Sequence, residues 1–186
     1  MKLRIRIINF IHKTASGSRK FRTLLTPVGA LVFTLFTAGF AVLSLYTDKM
    51  LSFPAVLPQE FLNIAAVPVI LTGIFFMSWS VFHFLRVKGT PVPLNPPPEL
   101  VSSGPYAHSR NPMLTGVFIL LFGLGIYFNS ISMIFVYTPL FILLMVLELK
   151  LIEEPELELR LGKKYLDFKH NTPMFFPRIS WKSKSE

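Results

Sequence analysis

The chain has no cysteine among its 186 residues. That absence excludes disulfide scaffolds, Cys-ligated zinc, iron–sulfur clusters and thiol nucleophiles, and leaves the redox compartment unmarked. Charge is scarce as well: 16% of the residues are charged and 52% hydrophobic, with a mean hydropathy of +0.53. A soluble domain carries about 25% charged residues, so the composition points to a membrane protein. Acidic residues are scarcer than basic ones, 10 against 19, for a formal net charge of +9. Such an excess suits either nucleic acid or the positive-inside bias of a membrane protein, and the placement of the basic residues decides between them. His12, His83, His108 and His170 are scattered, with no His-Glu-x-x-His or similar spacing, so no bound metal is expected.

Long apolar runs are what the sequence has in abundance. Pro27 to Tyr46 is a 20-residue uncharged stretch, enough at 1.5 Å per residue to cross a hydrocarbon core of about 30 Å. Phe61 to Leu85 forms a second, with Trp79 and Phe82 suited to an interface. Asn111 to Leu147 is 37 residues without a charge, roughly 55 Å as one helix, which is nearly twice what a bilayer needs. The Asn129-Ser130 pair offers a polar turn, so the run is expected to split into a helical hairpin, Met113 to Phe128 and Ile131 to about Ile152. The fold class expected is an all-α integral membrane protein with four transmembrane helices, a C-terminal helical hairpin and a cytoplasmic tail.

The charges test that topology. Residues 1–26 hold seven basic residues and no acid, 86–112 hold Arg86, Lys88 and Arg110, and 148–186 hold eight more, whereas 47–60 hold only Lys49 against Asp48 and Glu60. Short cytoplasmic segments collect Lys and Arg, so both termini and the 86–112 loop are expected in the cytoplasm, and no nucleic-acid partner is needed to explain the charge. The chain is thus expected to be multi-pass, with membrane lipids as its surroundings. It divides into an interfacial N-terminal segment (1–26), two transmembrane helices (27–88), a region with a proline-rich loop, hairpin and tail (89–178) and a basic end (179–186). The loop Gly89 to Pro98 has five prolines in ten residues and favours an extended path.

Dense polar chemistry lies in two segments on the basic side. In the first, Asn111-Pro112 puts proline where a helix starts, with Asn111 as its expected N-cap, and sets Arg110 beside the helix N-terminus. A guanidinium with free backbone N–H groups can hold a carboxylate or phosphate. In the second, Glu153 and Glu154 follow the last apolar run directly and call for a positive partner. Pro155 is expected to begin a new helix, on which Glu156, Glu158, Lys163 and Lys164 form a solvated face and Glu156 pairs with Arg160.

Together these segments resemble a known family. Gly104-Pro105-Tyr106, Arg110-Asn111-Pro112-Met113 and Gly116, followed by Glu153-Glu154-x-x-Leu157 and Leu161-Gly162-x-x-Tyr165, resemble the isoprenylcysteine carboxyl methyltransferases, with phospholipid N-methyltransferases as more distant relatives. The resemblance spans roughly residues 89–178. It implies an integral membrane enzyme that binds S-adenosylmethionine at the cytoplasmic ends of its last helices and methylates a lipophilic small molecule or lipid. By the same resemblance Arg110 and Glu154 are the catalytic candidates, and Tyr106, Arg110, Asn111, Pro112, Gly116, Glu153, Glu154 and Tyr165 the cofactor-binding ones. Two positions depart from the pattern: Asn111 stands where the family has His and cannot titrate near neutral pH, and Leu161 stands where it has Phe.

Methyl transfer from a sulfonium asks the protein mainly to position donor and acceptor and to exclude water. A carboxylate acceptor needs no base. An ammonium or thiol acceptor needs one, for which Glu154, Tyr165 and His108 are the candidates. A lipophilic acceptor also needs an opening to lipid, expected between the second span and the hairpin, and the tail Phe168 to Arg178 is expected to cover the aqueous opening. An NADPH-dependent reductase of the sterol-reductase type and a non-enzymatic membrane scaffold are the alternative readings.

Overall fold

The computed structural model describes residues 2–54, 57–87, 89–90, 92, 95–97 and 99–175. All regular structure among them is helical. The expected basic end (179–186), the tail from 176 to 178 and part of the proline-rich loop lie outside the described residues.

The chain opens with α1 (Lys2–Ala15), then α2 (Arg19–Leu51), α3 (Gln59–Arg86), a 3-10 turn (Gly104–Ala107) and α4 (Pro112–Tyr127). It ends with α5 (Thr138–Glu148), α6 (Glu154–Leu161) and α7 (Lys163–Asn171), with π-helical segments at Met133–Tyr137 and Leu149–Glu153. Among the described residues three helices are long and apolar enough to cross a membrane, α2, α3 and the continuous helix Met133–Leu161 of 29 residues, whereas α4, expected as a fourth span, is a shorter apolar helix of 16 residues.

Two features differ from the sequence reading, and proline connects them. The last long helix does not stop with its apolar run near Ile152, and Pro155 does not start a separate helix; the helix runs on to Leu161. A proline inside a helix removes one N–H and crowds the carbonyl four residues earlier. Here a π-helical segment ends just before each proline of this helix, Met133–Tyr137 before Pro139 and Leu149–Glu153 before Pro155. The wider turn shifts the hydrogen-bond register, so the chain absorbs the ring without a break. Leu151, four residues before Pro155, gives its carbonyl instead to Arg4 Nε of α1 at 2.7 Å. The helix ends at Gly162, whose φ of +56° suits a residue without a side chain, and α7 follows at once.

The tightest packing joins α3 to α4. A Cβ on Gly73 would lie 2.7 Å from the Leu120 nitrogen, and one on Gly116 would lie 2.7 Å from the Gly73 carbonyl oxygen and 2.8 Å from the Met77 nitrogen. Gly123 approaches Ile70 in the same way. Small residues let membrane helices approach to backbone contact. They also close the seam where α3 meets the hairpin, so the expected lipid opening does not lie along it. Beside this seam sits an aromatic core: Phe141, wholly buried, meets the rings of Phe36, Phe40 and Phe118 at centroid distances of 5.6, 5.3 and 6.2 Å.

At the end of the bundle opposite Arg110, called here the far end, a single carboxylate organises the turn. Asp48 accepts hydrogen bonds from Ser130 Oγ and, at 2.9 Å, from the Ser132 backbone nitrogen, and so caps the helix that begins there. Gln59 donates to the Tyr127 carbonyl at 2.7 Å and Asn129, at φ +51°, to that of Leu57 at 3.2 Å. These bonds confirm the helical hairpin and bring the 47–60 loop to its tip. Of the described Lys and Arg residues, only Lys49 belongs to this end.

Candidate functional site

The opposite, near end is assembled from segments far apart in sequence. Gly104 opens the first: its φ is +58°, and a Cβ there would meet the His83 ring at 2.7 Å, so no other residue fits without strain. The turn buries Tyr106 edge-on against Phe84 at 4.8 Å. Burial holds the Tyr106 phenol well above its usual range, against a hydrogen bond with Ser80 that acts the other way. His83 Nε2 bonds Ser103 Oγ at 3.0 Å and fixes the segment leading into the turn.

Arg110 follows, and its side chain turns inward. The guanidinium pairs with Glu154 Oε1 and donates to the Tyr165 hydroxyl at 3.4 Å, across 44 and 55 residues of sequence. Glu154, 5% exposed, also receives Lys169 at 2.7 Å, and Lys169 reaches Glu158 at 2.9 Å. Hydrogen bonds to Glu154 and Glu158 raise the Lys169 pKa. Tyr165 is pushed up to about 12, first by burial and then by the nearby Glu154 carboxylate, so its phenol keeps its proton at neutral pH.

Tyr106, Arg110, Glu154 and Tyr165 line a cavity of about 110 Å³. Its floor is the end of the long helix, with Glu148, Glu153 and Glu154; one wall is the 104–111 segment and another is α7, through Tyr165 and Phe168. Thr90, Val92, Pro96 and Pro97 of the proline-rich loop and Ile11 of α1 roof it. The loop is held from α2, where Asn95 Nδ2 donates to Thr26 Oγ1 at 2.9 Å. Some groups of this lining lack partners. Arg110 Nε is buried with no hydrogen-bond partner among the described residues, and the half-buried Glu148 and Glu153 form no hydrogen bond or ion pair with any described residue.

Of the residues that the resemblance nominated, Tyr106, Arg110, Asn111, Glu153, Glu154 and Tyr165 line the cavity. Pro112 is buried at the first position of α4, and Gly116 lies at the α3–α4 crossing, outside the lining. Asn111 stands at the N-cap position, but its side chain makes no capping bond; it donates to the Met174 carbonyl at 3.3 Å. The tail segment forms a short ladder here, with Arg110 N bonded to Pro173 O at 2.9 Å and Asn111 N to Met174 O at 3.1 Å. Phe175 then packs on Phe118 at 5.2 Å. His108 is exposed and outside the cavity.

Glu156 departs from the expected solvated face. It is 3% exposed, paired with Arg160 at 3.0 Å as its spacing predicts, and 3.5 Å from His12 Nδ1. The cause is α1, which lies over α6 and shields it. Lys169 and the roof were not legible from spacing, because both depend on how α1, α7 and the loop fold back over the helix end.

A model of the phospholipid methyltransferase family matches residues 61–164, more than half of the chain, and the chain belongs to that family. No curated protein and no solved structure matches it. The matched span contains Tyr106, Arg110, Glu153 and Glu154 and stops one residue short of Tyr165.

Proposed function

We propose that this member of the phospholipid methyltransferase family moves a methyl group from S-adenosylmethionine to a lipophilic acceptor, in the near-end cavity. Family membership implies a membrane methyltransferase. The observation that carries the finer reading is the convergence of Arg110, Glu154 and Tyr165 from distant segments on one buried space, within or beside the matched region. The methyltransferase match also favours this reading over the reductase and scaffold alternatives.

The donor set fits the cofactor's chemistry. Arg110, whose Nε lacks a partner, suits a carboxylate, and the unpaired Glu148 and Glu153 suit an ammonium or ribose hydroxyls. The cavity's roughly 110 Å³ falls below the ~300 Å³ at which ligand pockets begin. Binding therefore requires the site to widen. The Arg110–Glu154 and Glu154–Lys169 pairs already satisfy one another, so ligand groups of the same charges can replace them without leaving a buried ion alone.

When bound, the cofactor supplies a methyl group on a sulfonium, with a thioether as leaving group. The chain's task is to orient and to keep water out. Asn111 is held by the tail and Tyr165 keeps its proton, so neither serves as a base. If the acceptor atom carries a proton that must leave, Glu153 or Glu154 takes it; a carboxylate acceptor requires none.

Isothermal titration of the detergent-purified protein with S-adenosylhomocysteine tests the reading: saturable 1:1 binding supports it, and no heat at millimolar ligand overturns it. The proposed orientation, with termini and near end cytoplasmic, is tested separately in this Cys-free chain. Under it, an impermeant thiol reagent added to intact cells labels Ser52→Cys and spares Ser183→Cys. The reverse pattern overturns the topology.

A further inference from the structure

Helix α1 has two working faces. The inner face is committed: Ile8 is 7% exposed, Ile11 closes the cavity, Arg4 holds the Leu151 carbonyl at 2.7 Å, and His12 stands 3.5 Å from Glu156. The outer face is uncovered. Leu3 and Phe10, two helical turns apart, are 70% and 62% exposed and form an apolar ridge. Lys2, Arg6 and Lys13, spaced four and seven residues apart, are exposed and run beside that ridge. No acid lies in the first 26 residues to neutralise them.

A basic stripe along an apolar ridge on a short helix is the pattern that lies in a bilayer interface, with rings and Leu below the headgroups and cations among them. The occupant follows from charge and position. The helix joins directly to α2, whose apolar run begins eight residues after Arg19 at Pro27, so a bilayer surface is necessarily close by.

We propose that the outer face of α1 docks on the anionic headgroups of the bilayer that holds the chain, and that this contact keeps the helix seated over the cavity. The roof is thereby tied to the charge of the surrounding lipid. The inference concerns α1 and does not depend on which ligand the cavity takes.

The test uses the full chain, with Asn9→Cys on the exposed side of α1 as its one thiol, carrying an environment-sensitive fluorophore. The protein is reconstituted in zwitterionic vesicles and in vesicles with about 30% anionic lipid. Emission is expected to shift to the blue in anionic vesicles and to return in 1 M salt, where the screening length falls to about 3 Å. Combined Lys2→Gln, Arg6→Gln and Lys13→Gln substitutions should abolish the shift. At about fivefold in surface partitioning per basic residue, three losses amount to on the order of 100-fold. Seating is read separately by hydrogen exchange of the Glu154–Leu161 amides, expected slower in anionic vesicles and no longer so in the triple variant. Emission indifferent to lipid charge, or a triple variant that still shifts, overturns the docking; α6 exchange unaffected by lipid charge overturns the seating.

Discussion

The two ends of the helical bundle both gather polar groups at the limit of an apolar region, and they do so differently. At the far end one carboxylate, Asp48, meets a hydroxyl and a backbone N–H, and each bond closes a turn. At the near end Glu148, Glu153, Glu154 and Glu156 crowd the end of one helix, with Arg110, Arg160 and Lys169 answering only some of them. The first arrangement satisfies the backbone. The second leaves Glu148, Glu153 and Arg110 Nε without a described partner. On the function proposed above, a ligand with complementary groups would meet them.

The contrast breaks most sharply at the Arg110–Glu154 pair. Arg110→Ala and Glu154→Ala should each weaken S-adenosylhomocysteine binding by about 2–5 kcal/mol, roughly 30- to 4000-fold, measured by titration. Glu158→Ala removes only a half-exposed contact with Lys169 and should change affinity little. If all three behave alike, the near end is a structural ion-pair network and the contrast dissolves.

Next in size is the seam between the ends. Gly116→Ala puts a methyl where the Gly73 carbonyl and the Met77 backbone stand, and should lower stability by about 1–3 kcal/mol in denaturation of the purified protein. Affinity of the folded fraction should stay near wild type, which separates a packing glycine from one that touches the cofactor. The smallest effect is expected at the far end. Asp48→Asn keeps an acceptor but loses its charge, and should cost about 0.5–1.5 kcal/mol of stability with cofactor affinity unchanged.

Much of this was legible in the sequence, for reasons particular residues make plain. Helical spans depend on the uninterrupted length of apolar runs, and Pro27 to Tyr46 and Phe61 to Leu85 fall inside α2 and α3. The turn at Asn129-Ser130 was legible because Asn tolerates the left-handed backbone found there. Arg110 and Glu154 could be paired because the residues nearest them formed an ordered motif. What escaped was long-range. Nothing local says that Glu156 lies under α1, that Lys169 returns to Glu154 beyond the Gly162 break, or that Asn111 gives its side chain to the tail. Pro155 misled for a related reason: its conflict with a helix is local, and its resolution, a π-helical segment with the spare carbonyl passed to Arg4, draws on a residue at the other end of the chain.

That borrowed hydrogen bond, between residues 147 positions apart, also sets an order of assembly. Helix α1 is synthesised well before its seat, which consists of residues 149–156. Until those residues are made the helix has its apolar side and no protein to put it against. The cavity can acquire its roof only after the long helix Met133–Leu161 is in place, so a chain stalled before Leu149 would have α1 and the apolar helices α2 to α5 but no closed site.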